Sequence, residues 1–456
     1  MSTQVLRKES EPPSGEPASR GISGRRPDAV RTSIAVLAVA YLAQTLTPLR
    51  LDNDSVVYLR MAAAMADGVS IEPTGLPIGY PAMVALLDRI GLGSSFFFVL
   101  VNCAFIALGL YSVWYVFSAR TVGRRTIIVP MTMLAIPLIR YLAMPLPESM
   151  FFGVSLAAIA TMTAATRNTG RVRLQFIAVA VVLSAIAILV RLVGFALVPA
   201  LLWTFFEHSA SSKESKFRWT RERLTGGILV LAVIAVAVLF LGDSFRKYSY
   251  EFGLRYFRGG FFSTIYYHLQ GFTWIFGEVV ANLPGTKFRN YRLWFLGVGV
   301  IVIVWTLIKV RFRAPRTPAG IYLLAFIVLL LVWPYNALRL WAPIVPLLIG
   351  YAEIASIRFA AGQKWSRLKR VYIGWYALMG IAALLYTSRI TFAGDNFSKV
   401  YGLAGGLSSP DSRTGKVDTL HNRRAIELMK RYGNSFQPDL ILEYRGAPGG
   451  DLIPAR

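Results

Sequence analysis

SFFFVLVNCAFIALGLYSVWYVF, residues 95–117, carries no charged side chain and is followed by Arg120, Arg124 and Arg125. As a helix rising 1.5 Å per residue, such a run crosses the roughly 30 Å hydrocarbon core of a bilayer. The arginines behind it mark the end that stays in the cytoplasm. The same pattern repeats on both sides of this stretch. Apolar segments fall at 33–49, 95–117, 126–143, 149–166, 174–190, 193–206, 225–242, 291–310, 319–334, 340–357 and 371–387, about eleven spans by length, with the sixth short enough to be tilted or broken. Composition agrees: 55% of the 456 residues are apolar and 16% charged, against about 25% charged in soluble domains. The chain reads as an all-α polytopic membrane protein.

The net charge of +25 has two readings, a nucleic-acid surface or a membrane topology signal. The positions of the cations decide between them. Arg120, Arg124 and Arg125 fill one connection, and Arg167, Arg171 and Arg173 another. Lys213, Lys216, Arg218, Arg221 and Arg223 follow, then Arg311, Arg313 and Arg316, then Arg358, Lys364, Arg367, Lys369 and Arg370. Every second loop is basic, so these loops and the N-terminus are read as cytoplasmic, and no nucleic-acid partner is expected. Residues 50–94, 144–148, 191–192, 243–290, 335–339 and 388–456 then lie outside. Residues 1–32, rich in Ser, Pro, Gly and Arg, read as a disordered cytoplasmic tail. Residues 33–387 form the membrane domain, and 388–456 a small outer C-terminal domain. The lone Cys103 lies in an apolar run and signals neither disulfide nor metal.

The first outer loop looks structured. Ser55–Asp67 has helical spacing of apolar residues, Glu72–Pro77 is a breaker-rich turn, and Gly79–Ile90 is too short to cross, so two helices are expected along the interface. The loop opens with Asp52-Asn53-Asp54. One aspartate suits a helix N-cap, but a cap needs only one; a carboxylate here can take a proton from a hydroxyl or hold a divalent cation against a phosphate. Glu148, fixed by Pro145 and Pro147 at the start of a later span, is the sole acid of its short outer loop. Arg191 and Arg339 stand at outer span ends, where arginine either snorkels to headgroups or grips phosphate through two bonds. Arg140 lies near an outer end too. In the long loop 243–290, Arg255, Arg258 and His268 are interleaved with aromatics including Tyr248, Tyr256 and Trp274, which suits a sugar phosphate and equally an interfacial aromatic belt. There is no zinc-protease motif, P-loop or nucleophile elbow.

The Asp-x-Asp opening with Tyr58 four residues after Asp54, then Gly79-Tyr80-Pro81, Pro147-Glu148, Arg191-Leu192-Val193-Gly194 and Arg339 ahead of Pro343 and Pro346 together resemble the GT-C superfamily of membrane glycosyltransferases. The branch most similar is that of protein-mannosyltransferases and aminoarabinose transferases, over residues 33–350. The resemblance implies a GT-C-like helical bundle, a polyprenyl-phosphate-linked sugar donor, and an acceptor lipid, glycan or protein on the outer face. It implies Asp54 as catalytic acid, Asp52 assisting and Glu148 as second acidic position. Arg191 and Arg339 would face phosphate, and Tyr58, Tyr80, Arg255, Arg258 and His268 would line the substrate site. A divalent cation is an option that the motif does not require. A second class stays open: a lipid or polysaccharide transporter or polymerase whose outer residues bind without transfer chemistry.

The topology has a direct check. A cysteine at Ser70 should react with an impermeant thiol reagent only from outside, and one at Ser212 only from inside; the reverse pattern would put the acids in the cytoplasm.

Overall fold

The computed structural model describes residues 26–51, 53–70, 74–117, 127–207, 241–258, 260–283, 317–333, 338–359, 363–392 and 419–433, two short strands at 442–444 and 452–454, and the single positions 235 and 297. Helix α1 is Arg26–Ala43, and a 3-10 turn, Gln44–Leu46, ends it. The two helices expected in the first loop are both present: α2, Asn53–Asp67, and α3, Gly79–Arg89. Then come α4 (Ser95–Phe117), α5 (Ile128–Met133), α6 (Ile136–Leu142), α7 (Glu148–Arg167) and α8 (Gly170–Val190). A 3-10 turn, Leu192–Ala196, leads into α9, Leu197–Glu207.

Helix α10 is described over 241–253 and runs into a π-helical turn, Leu254–Arg258. It is followed by α11 (Phe261–Ala281) and α12 (Pro318–Val332). A 3-10 turn, Leu338–Trp341, precedes α13 (Val345–Phe359), α14 (Gln363–Phe392) and α15 (Thr419–Tyr432). Strands β1, Leu442–Tyr444, and β2, Leu452–Pro454, pair antiparallel with Glu443 opposite Ile453.

Among the described residues, four helices are long and apolar enough to cross a membrane: α4, α7, α8 and Arg367–Arg389 of α14. They differ in what surrounds them. Of the most apolar window, 83% is buried in α7, against 44%, 33% and 22% in the other three. Helix α7 is therefore the axis of the bundle, and α4, α8, α9 and α12 pack around it. The contact with α4 is close because Gly153 has no side chain; a Cβ there would lie 2.5 Å from the Phe105 carbonyl oxygen. Small residues at such crossings are how apolar helices gain contact when lipid is as apolar as they are.

The structure corrects the sequence reading in several places. The segment 126–143 is two short helices, α5 and α6, broken at Leu134–Ala135. Ala135 is extended (ψ 122°), and Pro137 occupies the first turn of α6; proline has no N–H to donate and crowds the turn before it. Asn282 stitches this break. It ends α11 in a left-handed conformation (φ 53°). Its side chain accepts from the Ile136 N–H at 2.9 Å and donates to the carbonyls of Leu134 and Tyr376, each at 2.9 Å. Helix α1 starts at Arg26, inside the stretch expected to be a tail, and α14 continues to Phe392, past the expected end of the last span. The short hairpin adds a strand pair to a fold expected to be all helix. The expected spans at 225–242 and 291–310 lie almost wholly outside the described residues.

Both ends of the membrane domain meet on the first-loop side. Arg50, fully buried, donates to the Thr387 carbonyl at 3.2 Å and to Thr391 Oγ1 at 2.6 Å near the end of α14. Gln44 donates to Ser388 Oγ at 2.9 Å and accepts from Thr391 at 2.7 Å. The end of α14 therefore lies beside the mouth of the first loop.

Replacing Asn282 with Ala removes three buried hydrogen bonds and keeps the positive φ, so a loss of about 3–5 kcal/mol is expected. Thermal unfolding in detergent measures it. Asn282→Gly loses the same hydrogen bonds but tolerates the positive φ, so it should be less destabilised than Asn282→Ala; a variant more stable than wild type would mean that the bonds contribute less than the φ costs.

Candidate active site

The first turn of α7 begins with Glu148. The loop before it is held by Asn102 of α4, which donates to the carbonyls of Leu142 at 2.9 Å and Met144 at 3.1 Å. That places the Glu148 carboxylate inside the bundle, 4% exposed. A buried carboxylate must be paired or lose its charge, and here two arginines meet it. Arg191 Nη2 forms an ion pair with Glu148 Oε1, and Arg339 Nε lies 3.5 Å from the same oxygen. Arg339 Nη2 in turn pairs with Asp54 Oδ2. The four groups form a chain of alternating charge, Asp54–Arg339–Glu148–Arg191, drawn from α2, the turn before α13, the start of α7 and the end of α8.

Glu148 is the most enclosed member at 4% exposed, with Arg191 at 12% on one side, and on the other exposure rises through Arg339 at 19% to Asp54 at 36%. Asp54 is thus the member open to a solute, and Glu148 the member beneath the arginines. Of the two aspartates weighed for an N-cap, Asp54 does not fill that position: it lies within the first turn of α2, and its carboxylate goes to Arg339. A negative charge there still suits the positive end of the helix.

Local structure explains each placement. Arg191 is the extended residue (φ −153°, ψ 134°) at which α8 ends, and Gly194 N donates back to its carbonyl at 2.9 Å to open the following turn. Arg339 rides on a turn anchored by Trp341, whose buried ring packs against Phe272 and Phe276 of α11 at 4.9 and 5.5 Å. Gly79 explains the approach of α3. A Cβ there would lie 2.8 Å from the carbonyl carbon and oxygen of Leu189 and 2.9 Å from Val190 N, so only glycine lets α3 start against the end of α8. Tyr80 then meets Tyr58 edge to face, centroids 5.8 Å apart and planes at 79°.

Both tyrosines are buried, and burial pushes their hydroxyls well above the ordinary phenol range; for Tyr58 the nearby Arg191 works against that rise. They are neutral. Glu148 Oε2 and the Tyr80 hydroxyl are buried with no hydrogen-bond partner among the described residues.

Of the other expected site residues, Asp52 and the side chains of Arg255 and Arg258 lie outside the described residues. His268 is buried on α11 and stacks on Tyr256 at 5.6 Å with planes 6° apart. Arg140 is exposed, with its guanidinium 5.6 Å from the Tyr141 ring. Two further residues of the long loop reach the site. Tyr248 of α10 packs on Trp333 at 4.9 Å; burial raises its hydroxyl, with Arg191, Asp54, Arg339 and Glu148 all acting on it electrostatically. Lys247 donates to the Thr74 carbonyl at 3.1 Å, tying α10 to the first loop. An aromatic belt and a site wall have the same composition, so nothing local in the sequence distinguished Tyr248.

No group of three or more His, Cys, Asp or Glu gathers among the described residues. Among the described residues, Asp54 and Glu148 are separated by the Arg339 guanidinium, so these two carboxylates do not together hold a divalent cation.

No protein-family model matches the chain, and no curated protein matches it. Solved structures do. The oligosaccharyltransferase of Archaeoglobus fulgidus, crystallised with Zn and sulfate, is 13% identical, with 92% of this chain and 64% of that one covered at a TM-score of 0.51. ArnT from Cupriavidus metallidurans, apo, is 19% identical over 76% of this chain and 62% of that one, TM-score 0.48. The same protein bound to undecaprenyl phosphate is 18% identical, with 80% and 72% covered, TM-score 0.48. This chain therefore spans less than two thirds of the oligosaccharyltransferase and of apo ArnT. The likeness is one of fold, carried by the oligosaccharyltransferase match at a TM-score of 0.51.

Glu148→Gln keeps the shape and removes the charge that two guanidiniums share, and a loss of about 3 kcal/mol is expected. Adding Arg191→Gln should recover part of that loss. Unfolding of the two single variants and the double variant tests it: strict additivity would mean the pair is not coupled.

Proposed function

We propose that this protein is a membrane glycosyltransferase that moves a sugar from a polyprenyl-phosphate donor to an acceptor hydroxyl, with Asp54 as the base. The observation that carries the reading is the Asp54–Arg339–Glu148–Arg191 chain, in which a half-exposed carboxylate is held by a guanidinium whose other partner is buried. The fold supports the same reading, since the solved structure it resembles at a TM-score of 0.51 is an oligosaccharyltransferase.

The chemistry follows from the charges. The acceptor oxygen forms a bond to the anomeric carbon as the bond from that carbon to the phosphate oxygen breaks. The electron pair leaves with the lipid phosphate, and the acceptor proton passes to Asp54. The phosphate gains negative charge in that step, and preorganised guanidiniums stabilise it without reorganising solvent. Arg339 and Arg191 are the two candidates, and Glu148 holds both in place. Glu148 is thus a positioning residue, too buried to meet an acceptor.

The pairing of Asp54 with Arg339 suggests an order of events. A donor phosphate competes with Asp54 for Arg339, so donor binding releases the carboxylate to act as a base. The base is then free only when there is something to transfer. The active face is that of the first loop, assigned to the outside by loop charge, and α15 packs against α2 there.

Purified protein incubated with a panel of radiolabelled polyprenyl-phosphate sugars tests this, with Asp54→Asn alongside. Loss of the base is expected to slow transfer about hundredfold or more while donor binding persists. Equal transfer by both proteins would remove Asp54 from the chemistry. Lipid movement without transfer of any sugar would favour the transporter reading.

A further inference from the structure

Helices α2 and α3 lie side by side, each with its N-terminal end at the charged chain and its C-terminal end away from it. Asp54 and Tyr58 of α2 and Tyr80 of α3 are at the near end. At the far end, Arg89 of α3 donates to the Met65 and Ala66 carbonyls of α2, at 2.5 and 3.3 Å. A third element, α15, joins there. Arg431 Nη1 and Nη2 donate to the two oxygens of Asp67 at 2.8 and 2.7 Å. The same guanidinium donates through Nε and Nη2 to Asp88 Oδ2 at 3.1 and 2.7 Å. One arginine therefore binds the last residue of α2 and the penultimate residue of α3 together.

An exposed ion pair alone contributes little, but this one has an apolar anchor beside it. Tyr432 is fully buried, its ring 5.5 Å from Phe98 of α4, and its hydroxyl donates to the same Asp88 oxygen at 3.0 Å. Leu428, one turn earlier, is buried too. Helix α15 is thus fastened to the membrane bundle through α4 while it grips the two loop helices. Its hydrogen bonds hold the Asp67 carboxyl below its usual range, and the Asp67 bonds raise the Arg431 guanidinium.

We infer that α15 is a clasp on the first-loop helix pair, and that Arg431 is a positioning residue that sets where Asp54 and Tyr80 stand against the arginines. The two sites are separated by the length of α2, fifteen residues or about 22 Å. A rigid helix carries a displacement from one end to the other, so freeing Asp67 loosens the seating of Asp54. The consequence for catalysis rests on the function proposed above; the mechanical coupling does not. It also gives the C-terminal segment, which no sequence motif explained, a task in the site.

Hydrogen exchange on the purified full chain separates the two. Peptides covering residues 53–60 are followed in wild type, Arg431→Met, Arg431→Lys and the double variant Asp67→Asn/Asp88→Asn. In Arg431→Met and the double variant, exchange at 53–60 should quicken about fivefold, the scale of an exposed ion-pair network. Arg431→Lys, which keeps the charge but not the fork, should fall between wild type and Arg431→Met. With an active donor, kcat should fall by the same factor while KM for the lipid-linked sugar holds. If α15 itself loosens in Arg431→Met while residues 53–60 exchange as in wild type, α15 is merely docked and the clasp is refuted. If exchange at 53–60 responds but wild type transfers no sugar, the clasp stands and the proposed reaction falls.

Discussion

A single buried carboxylate organises this protein. Glu148 sits at the first turn of the most enclosed helix of the bundle, and an ionised group in that setting is tolerated only with cations against it. That requirement brings the end of α8, through Arg191, and the turn before α13, through Arg339, to one place. Asp54 joins from the first loop because Arg339 has a second face to offer. Four segments distant in sequence meet at one end of one helix, and the meeting point is charged because its centre is.

The elements around this point each remove a freedom. Asn102 fixes the loop before Glu148, Trp341 anchors the turn that carries Arg339, and the bare Gly79 backbone seats α3 against α8. At the far end of the loop helices, Arg431 gathers α2 and α3. The site is held from below by the membrane bundle and from behind by the C-terminal helix. A chemistry that depends on charge developing on a phosphate needs this kind of rigidity, because preorganised donors act without waiting for the protein to reorganise.

Much of this was legible in the chain. Runs such as 95–117 and 174–190 are so uniformly apolar that only a membrane span accommodates them, and the basic loops between them order the topology. Glu148 stood out as the sole acid of its short loop, Arg191 and Arg339 as cations at span ends, and Asp54 through its step to Tyr58. All four meet. The failures have physical causes. Span 126–143 is mostly apolar, with Arg140 near its end, and hydropathy does not register that Pro137 breaks its hydrogen bonding while Asn282, far along the chain, repairs the gap. Tyr248 looked like any interfacial aromatic, and Arg431 like any cation of a polar helix, because their partners are contributed by other segments.

The amino-acid sequence by itself determined the class of environment, the helices of the first loop and the residue types able to do chemistry, since these depend on local composition and period. Tertiary structure alone decided the pairing: that Asp54 rests on Arg339, that Glu148 lies beneath both arginines, and that α15 grips the ends of α2 and α3. Pairing depends on which helix ends arrive at the same point. That is set by the packing of whole helices around α7, and no window of sequence contains it.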